Sequence, residues 1–504
     1  MITSYGEIAA ERKEGEREMK KLNLGRLVSE IKAHWNRPPA EKHICYREFT
    51  AYSVGGIGVN TINSLFGYVA LNANCLLLGS AYEIKPMDLA VMSLVMNLLN
   101  LAKTPLISML IDNTNTKYGK FRPYLLYTGI PTAFLLIAMA FVPNSADYTL
   151  KCTLLSLIYA FLMIFQSLYA LAFTSLAQVL TPNGEERTSL LSVSQFVYSL
   201  GPSVVNLFFP IFAGLLPGGM TGFTAYRILF PIFSVFGIAL SFWTFKGTEE
   251  KIIVPPNYVA RVRFVDGISE IKSNKYFWLM TFYNVLGALK GTIGSILAWY
   301  CIYAMQSDAM LGVMNAVIGT ASVPGMLLAP LMAKKLGKRT SLIWCNLLRA
   351  GFAGLMLVTT KSPVLFLGCL YFANVSTGGD GVMVSAITAD VFDFQQWKTG
   401  KRLEGFITQF SGMLVTAATM LLNLILPWFY EQCGLRNDYS VLFDESVRTP
   451  IFNVMIIVTV LSCAAAVIPI LFYDMTEKKQ RQIVRDLEIR ARQEEASPEK
   501  AQTH

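Results

Sequence analysis

Long apolar runs separated by short charged stretches dominate the chain. Apolar stretches between charges fall at 49–78, 87–111, 124–142, 152–180, 188–216, 227–245, 276–305, 309–333, 340–360, 362–389, 405–430 and 450–473. Each is about 20 residues or longer, the length an α-helix needs to cross the hydrocarbon core of a bilayer, and none shows the strict alternation of a half-buried strand. The pattern therefore predicts twelve membrane-spanning helices. The first stretch is unusual in carrying Asn60, Asn63, Asn72, Asn74 and five glycines, with no charge from Phe49 to Tyr82. A long, uncharged, amide-bearing span is expected to line a wet cavity.

Composition agrees. The chain has 504 residues, 53% hydrophobic and 15% charged, with mean hydropathy +0.44. Twelve spans of about 20 residues would use roughly 240 positions, which leaves little for soluble domains. Eight cysteines form no CxxC pair, and the three histidines, His34, His43 and His504, lie outside the apolar runs. There is no phosphate-binding loop of the Gly-x-x-x-x-Gly-Lys-Ser/Thr type either. A membrane metalloenzyme or an ATP-driven machine is thus disfavoured, and no cofactor is expected. The net charge of +9 is not a nucleic-acid signal here, because of where it falls. With the N-terminus inside, 34 of the 43 Lys and Arg lie on the cytoplasmic side and six on the outside. That bias places both termini in the cytoplasm of a plasma-membrane protein embedded in the lipid bilayer.

The charged stretch 246–275 divides the chain into six-helix halves at 49–245 and 276–473, flanked by charged segments 1–48 and 474–504. A weak echo links the halves: Tyr118-Gly119-Lys120 follows the second run, and Leu336-Gly337-Lys338 follows the eighth. Arg187 and Arg402 likewise follow the fourth and tenth. The stretch from Asp112 through Gly119, Lys120, Phe121 and Arg122 to Tyr124 closely resembles the loop between helices two and three of the glycoside–pentoside–hexuronide:cation symporters. The stretch from Ala389 through Asp390, Asp393, Gly400 and Arg402 to Gly405 resembles that family's signature between helices ten and eleven. Glu186-Arg187-Thr188-Ser189 is a softer match after helix four. The resemblance covers about 49–473 and implies an all-α major facilitator fold. It also implies symport of a small sugar by alternating access. In such loops Asp112, Gly119, Lys120, Arg122, Arg187, Asp390, Asp393 and Arg402 are expected to clasp the two halves through ion pairs on the cytoplasmic face and to release when an inner gate opens.

The positions that hold sodium in sodium-coupled members fall on Asn100 and Thr104, with Lys103 between them. The family's sugar-binding acid on helix one falls near Gly56, and its acid and tryptophan on helix four near Ala170 and Thr174. Its arginine on helix five falls near Gln195 and its helix-eleven lysine near Thr416. All are altered, so sodium coupling and melibiose-like specificity are not carried over. Instead, four charges are predicted inside the spans. Lys103, Arg349 and Asp380 lie ~14–15 Å from the helix end, and Lys290 ~22 Å. An uncompensated charge at the bilayer centre costs at least ~2.5–3.5 kcal/mol, so these should face water, each other or a charged substrate. Lys103 is expected to be a tethered cation that makes transport sodium-independent, driven by the substrate gradient alone or by protons. Lys103 and Asp380 are the expected proton carriers if Lys103 deprotonates, and the two should border one central void. Three positive charges against one negative favour an anionic sugar. Asn60, Asn63, Asn97, Gln166, Tyr169, Tyr198, Trp299 and Tyr300 are the polar and aromatic residues available to hold it. The competing expectations are an exporter or a lipid or drug carrier of the same fold, and a non-transporting membrane sensor or anchor.

Overall fold

In the computed structural model, the described residues are 24–39, 42–72, 74–112, 116, 118–181, 184–251, 271–360, 362–400 and 404–495. Among them the secondary structure is helical apart from turns and one isolated β-bridge between Thr116 and Gly119. A short helix α1 (Leu24–Ala33) precedes α2 (Tyr46–Gly67), α3 (Pro86–Asp112), α4 (Arg122–Tyr127), α5 (Gly129–Met139), α6 (Tyr148–Val179), α7 (Gly184–Tyr198), α8 (Leu200–Gly214) and α9 (Phe223–Gly247). The second half comprises α10 (Lys275–Leu286), α11 (Thr292–Trp299), α12 (Asp308–Gly319), α13 (Ser322–Leu336), α14 (Lys338–Thr359), α15 (Pro363–Thr399), α16 (Glu404–Leu422), α17 (Ile425–Gln432) and α18 (Glu445–Leu471). A charged helix α19 (Glu477–Glu495) follows. Eight of the continuous or nearly continuous helical stretches are long and apolar enough to cross a membrane. The face bearing α1 and α19 is the terminal face, and the opposite one the distal face.

Helix ends follow local chemistry. Asn274, Ser307, Asp147 and Asp444 cap α10, α12, α6 and α18 through their side-chain oxygens, which satisfies otherwise orphaned N–H groups. Two expected boundaries are corrected. The first apolar run is not one helix: α2 ends at Gly67, and a π-turn at Leu76–Ala81 follows a linker in which the Asn74 N–H donates to Asn72 Oδ1. Asn side chains favour such turns by bonding nearby backbone. The tenth run extends past 389 to Thr399, because Asp390 and Asp393 do not stop a helix. Gly400, at φ +74°, does.

Gly55, Gly56 and Gly58 of α2 pack helices, whereas Gly67 borders a cavity together with Ser64, Asn72 and Asn74. A Cβ at Gly58 would sit 2.2 Å from the Gly237 carbonyl, and one at Gly55 would overlap Thr244. The same device joins α13 and α15, where a Cβ at Gly325 would lie 1.9 Å from the Val375 carbonyl. Small residues let membrane helices approach closely enough for dense van der Waals contact. The glycines beside Asp380 thus serve close approach, and α15 stays continuous through them.

Between the halves, close approaches cluster at the distal end. A Cβ at Gly312 would meet the Leu207 carbonyl at 2.3 Å, and one at Gly79 would meet the Tyr439 ring. Ser80 and Tyr303 share a hydrogen bond, the Met220 N–H donates to Asp308, and Asn315 donates to the Asn206 carbonyl.

Candidate functional site

On the terminal face the echo between the halves acquires a structural meaning. The carboxylate of Glu250, just beyond α9, accepts the backbone N–H groups of Lys120, Phe121 and Arg122 at 2.7–2.9 Å. Gly119 (φ +106°) makes room, since a Cβ there would meet that carboxylate at 2.5 Å. In the second half Glu477, just beyond α18, accepts the Lys338 N–H at 2.8 Å beside Gly337 (φ +81°). The arginines repeat too: Arg122 donates to the Phe245 carbonyl, and Arg339 to the carbonyls of Ile470 and Leu471. Sequence reading missed both glutamates, because each lies about 130 residues from its partner.

The expected clasp between halves rests partly on residues outside the described ones. Among the described residues the ion pairs are Glu48–Lys251, Lys275–Asp474, Lys290–Asp380 and Lys338–Asp390, and each lies within one half. Asp390 is bound at 2.7 Å by Lys338. Asp393 lies half-buried one turn further on. The side chains of Asp112 and Arg187, and all of Arg402, fall outside the described residues. Glu186 receives the Thr181 hydroxyl and the N–H groups of His43 and Ile44. Burial alone would raise its carboxyl, but these donors hold it below the usual range. Asp474 is pushed down to about 2, chiefly by the hydrogen bond from Lys275 and then by that from Tyr276.

The buried charges separate into two groups. Lys103 is 8% exposed, and its ammonium donates to the Met163 carbonyl and Ser167 hydroxyl of α6, each at 2.6 Å. Among the described residues no carboxylate pairs with it. Asn100 is half-buried on the same helix, and the Thr104 side chain is not described. Lys290 instead pairs with Asp380 of α15 at 3.3 Å, with side chains 9% and 16% exposed. Its ammonium also reaches Tyr283 Oη (2.8 Å) and Asn346 Oδ1 (2.9 Å). Tyr283 donates its hydroxyl to Asp380, and Asn346 Nδ2 donates to the same oxygen at 2.8 Å. Tyr283 and Asn346 lacked any sequence signal, since neutral residues in an apolar run do not stand out. Lys103 and Asp380, expected to border one central void, thus sit in separate hydrogen-bond networks in opposite halves.

Backbone geometry explains how Lys290 gets there. The helix breaks after Leu286 and continues as a 3₁₀ turn over Ala288–Gly291 before α11. A Cβ at Gly287 would lie 2.5 Å from Lys290 Cε, so this position must stay bare. Arg349, 7% exposed, donates to the carbonyl of Lys290, which the break leaves exposed.

Two cavities flank this cluster. A distal cavity of about 350 Å³ lies between the halves and includes Leu289 and Gly291 in its wall. It joins a neighbour of about 280 Å³ through Asn72, Asn74 and Ser295. On the terminal side a cavity of about 470 Å³ is walled by Met280, Thr281, Asn284, Thr388 and Thr416, among others. The broken helix thus borders both cavities, the distal one through Leu289 and Gly291 and the terminal one through Met280, Thr281 and Asn284.

The predicted sugar-holding residues are dispersed. Gln166 donates to Asn63 at 3.1 Å, joining α6 to α2, and Asn60 bonds back to the Gly56 carbonyl. Asn97 approaches Ser93 of the distal cavity. Tyr198 donates to Gln195, and Thr174 bonds its own helix. Tyr169 is fully buried. Tyr300 stacks on Phe366. Trp299 is fully buried against Tyr430, Tyr439 and Tyr303, its Nε1 without a hydrogen-bond partner among the described residues.

With this geometry in place, comparison with known proteins is informative. The family model for MFS/sugar transport proteins matches residues 51–477. The chain is 24% identical to the uncharacterized symporter YnaJ of Bacillus subtilis (strain 168), over 79% of this chain and 86% of that protein. It is 24% identical to the isoprimeverose transporter of Lactiplantibacillus pentosus, over 61% of this chain and 64% of the relative. It is also 24% identical to the glucuronide carrier protein homolog of Escherichia coli (strain K12), over 75% and 82%. Among solved structures, a bacterial homolog of the human lysosomal transporter Spinster superposes with TM-score 0.60 at 13% identity, covering 87% of this chain and 98% of that one.

Proposed function

Because the chain belongs to the MFS/sugar transport protein family, we propose that it carries a sugar across the plasma membrane by alternating access, in symport with a proton. It is a multi-pass membrane transporter and not an enzyme. The terminal face is the cytoplasmic one in this reading, consistent with its excess of Lys and Arg.

One observation carries the choice of ion. The carboxylate of Asp380 is enclosed by donors from Tyr283, Asn346 and Lys290. Such a shell supplies hydrogens where a hard metal cation needs several oxygens. Lys103 and the neighbouring Asn100 stand where relatives are expected to hold sodium, and a tethered ammonium disfavours a second cation there. Protonation of Asp380 cancels its attraction for Lys290, which frees the Gly287–Gly291 break to bend. The broken helix, which borders both cavities, is then free to shift. Cys345, Arg349 and Cys463 are the other titratable groups around the pair.

Reconstituted protein tests this. Sugar uptake into sodium-free proteoliposomes should rise when the entry side is acidified by one pH unit. Uptake indifferent to that gradient but strictly dependent on sodium would overturn the proposal.

A further inference from the structure

We infer that the distal cavity between the halves is the sugar-recognition site and that it is built for an uncharged polyhydroxylated compound, a neutral glycoside or pentoside, in preference to a hexuronide. This inference rests on the transport reading above and names the substrate class that reading leaves open.

Three observations converge. Both halves build the cavity: Asn72, Asn74 and Ser93 come from one, and Thr292, Ser295 and Asn423 from the other. A solute there bridges the surfaces that must separate during transport. Its volume of about 350 Å³ lies within the usual range for small-molecule sites. Second, the wall holds orphaned hydrogen-bonding groups. Tyr430 is 1% exposed, and among the described residues its hydroxyl and Asn74 Oδ1 have no well-aligned partner and only each other within reach. A buried polar atom left unpaired costs about 1–3 kcal/mol, and a ligand hydroxyl reaching it removes that cost. A sugar offers several hydroxyls that both donate and accept, which suits a carbonyl and a phenol side by side.

Third, among the described residues the cavity wall carries no charged side chain. The positive charges that suggest an anionic substrate are engaged elsewhere: Lys290 on Asp380, Arg349 on a backbone carbonyl, and Lys103 on α6. A carboxylate entering an uncharged, enclosed site loses its hydration without a counter-charge, which costs far more than the loss of a hydroxyl's hydration. Relatives at the same identity carry names for both an isoprimeverose and a glucuronide solute, so they do not decide the matter.

The test uses the full chain in proteoliposomes with p-nitrophenyl β-D-xyloside, β-D-glucoside and β-D-glucuronide as probes. Equilibrium binding and counterflow should favour one of the neutral probes over the glucuronide by at least tenfold. Tyr430→Phe removes an orphaned oxygen while keeping the ring. It should weaken the preferred neutral probe about fivefold without lowering thermal stability, a combination that a packing role does not produce. Asn423→Ala should weaken it as well. Preference for the glucuronide, or neutral binding unchanged in both variants, overturns the inference and leaves sugar transport standing. Failure of every probe and of a wider sugar panel to bind or exchange overturns both.

Discussion

Replacing Lys290 by Met removes the ammonium from a carboxylate that is 16% exposed and leaves Asp380 held by Tyr283 and Asn346 alone. Breaking one side of a buried ion pair costs about 3–5 kcal/mol in soluble proteins. On membrane-insertion scales a lone charge at the helix centre costs about 2.5–3.5 kcal/mol. The two hydrogen bonds that remain to Asp380 place the expectation for Lys290→Met near 3 kcal/mol. Asp380→Asn should cost about the same or less, since the stranded ammonium keeps Tyr283 and the Asn346 carbonyl oxygen. The double variant removes both charges and should return to within about 1 kcal/mol of the parent. Denaturation of purified protein in micelles measures all three and closes the cycle. Transport separates coupling from stability. The double variant should exchange sugar at equilibrium yet fail to accumulate it under a pH gradient. Three additive losses, or a double variant that still concentrates sugar like the parent, would refute the reasoning.

Further outcomes follow from the same geometry. Gly287→Ala places a methyl group against Lys290 Cε and the Tyr283 carbonyl, so exchange should slow severalfold while the fold persists; unchanged exchange would show that the break is not a hinge. Glu250→Ala strips acceptors from three N–H groups and should cost about 1–3 kcal/mol, with amide exchange accelerated at Lys120–Arg122. Glu477→Ala should add to it independently, because the two clasps lie in different halves. Asp474 has a folded-state pKa depressed to about 2. The Lys275–Asp474 contact is thus fully present above the unfolded carboxyl's range near 4 and is lost only as pH falls through about 2. Asp474→Asn should therefore leave the pH profile of uptake between 5 and 8 unaltered; a shifted profile would move the coupling group to this clasp.

Local periodicity made much of the fold legible, because each membrane segment must satisfy its own backbone and so announces itself as an apolar run. Charge at 390 and 393 marked a plausible helix end, yet only Gly400 supplied a backbone conformation that stops α15. The glycines of α2 suggested a wet wall, and pairing with Gly237 and Thr244 turned Gly58 and Gly55 into a packing seam. Such a seam depends on a helix nearly 200 residues away, beyond any local signal. The site was half legible. Buried charges at Lys290 and Asp380 stood out by their cost, whereas Tyr283, Asn346, Asn74 and Tyr430 are ordinary in composition. What distinguishes them is their neighbours. The anionic bias rests on a count, and counting charges in the spans says nothing about which of them already have partners.

The most direct measurement is of protons themselves. Lightly buffered, sodium-free proteoliposomes carrying a pH dye should show an alkaline shift outside when a transported sugar is added, and the Asp380→Asn protein should show sugar exchange with no shift. Sugar entry without proton movement in the parent protein, or a shift that persists in Asp380→Asn, would contradict the account.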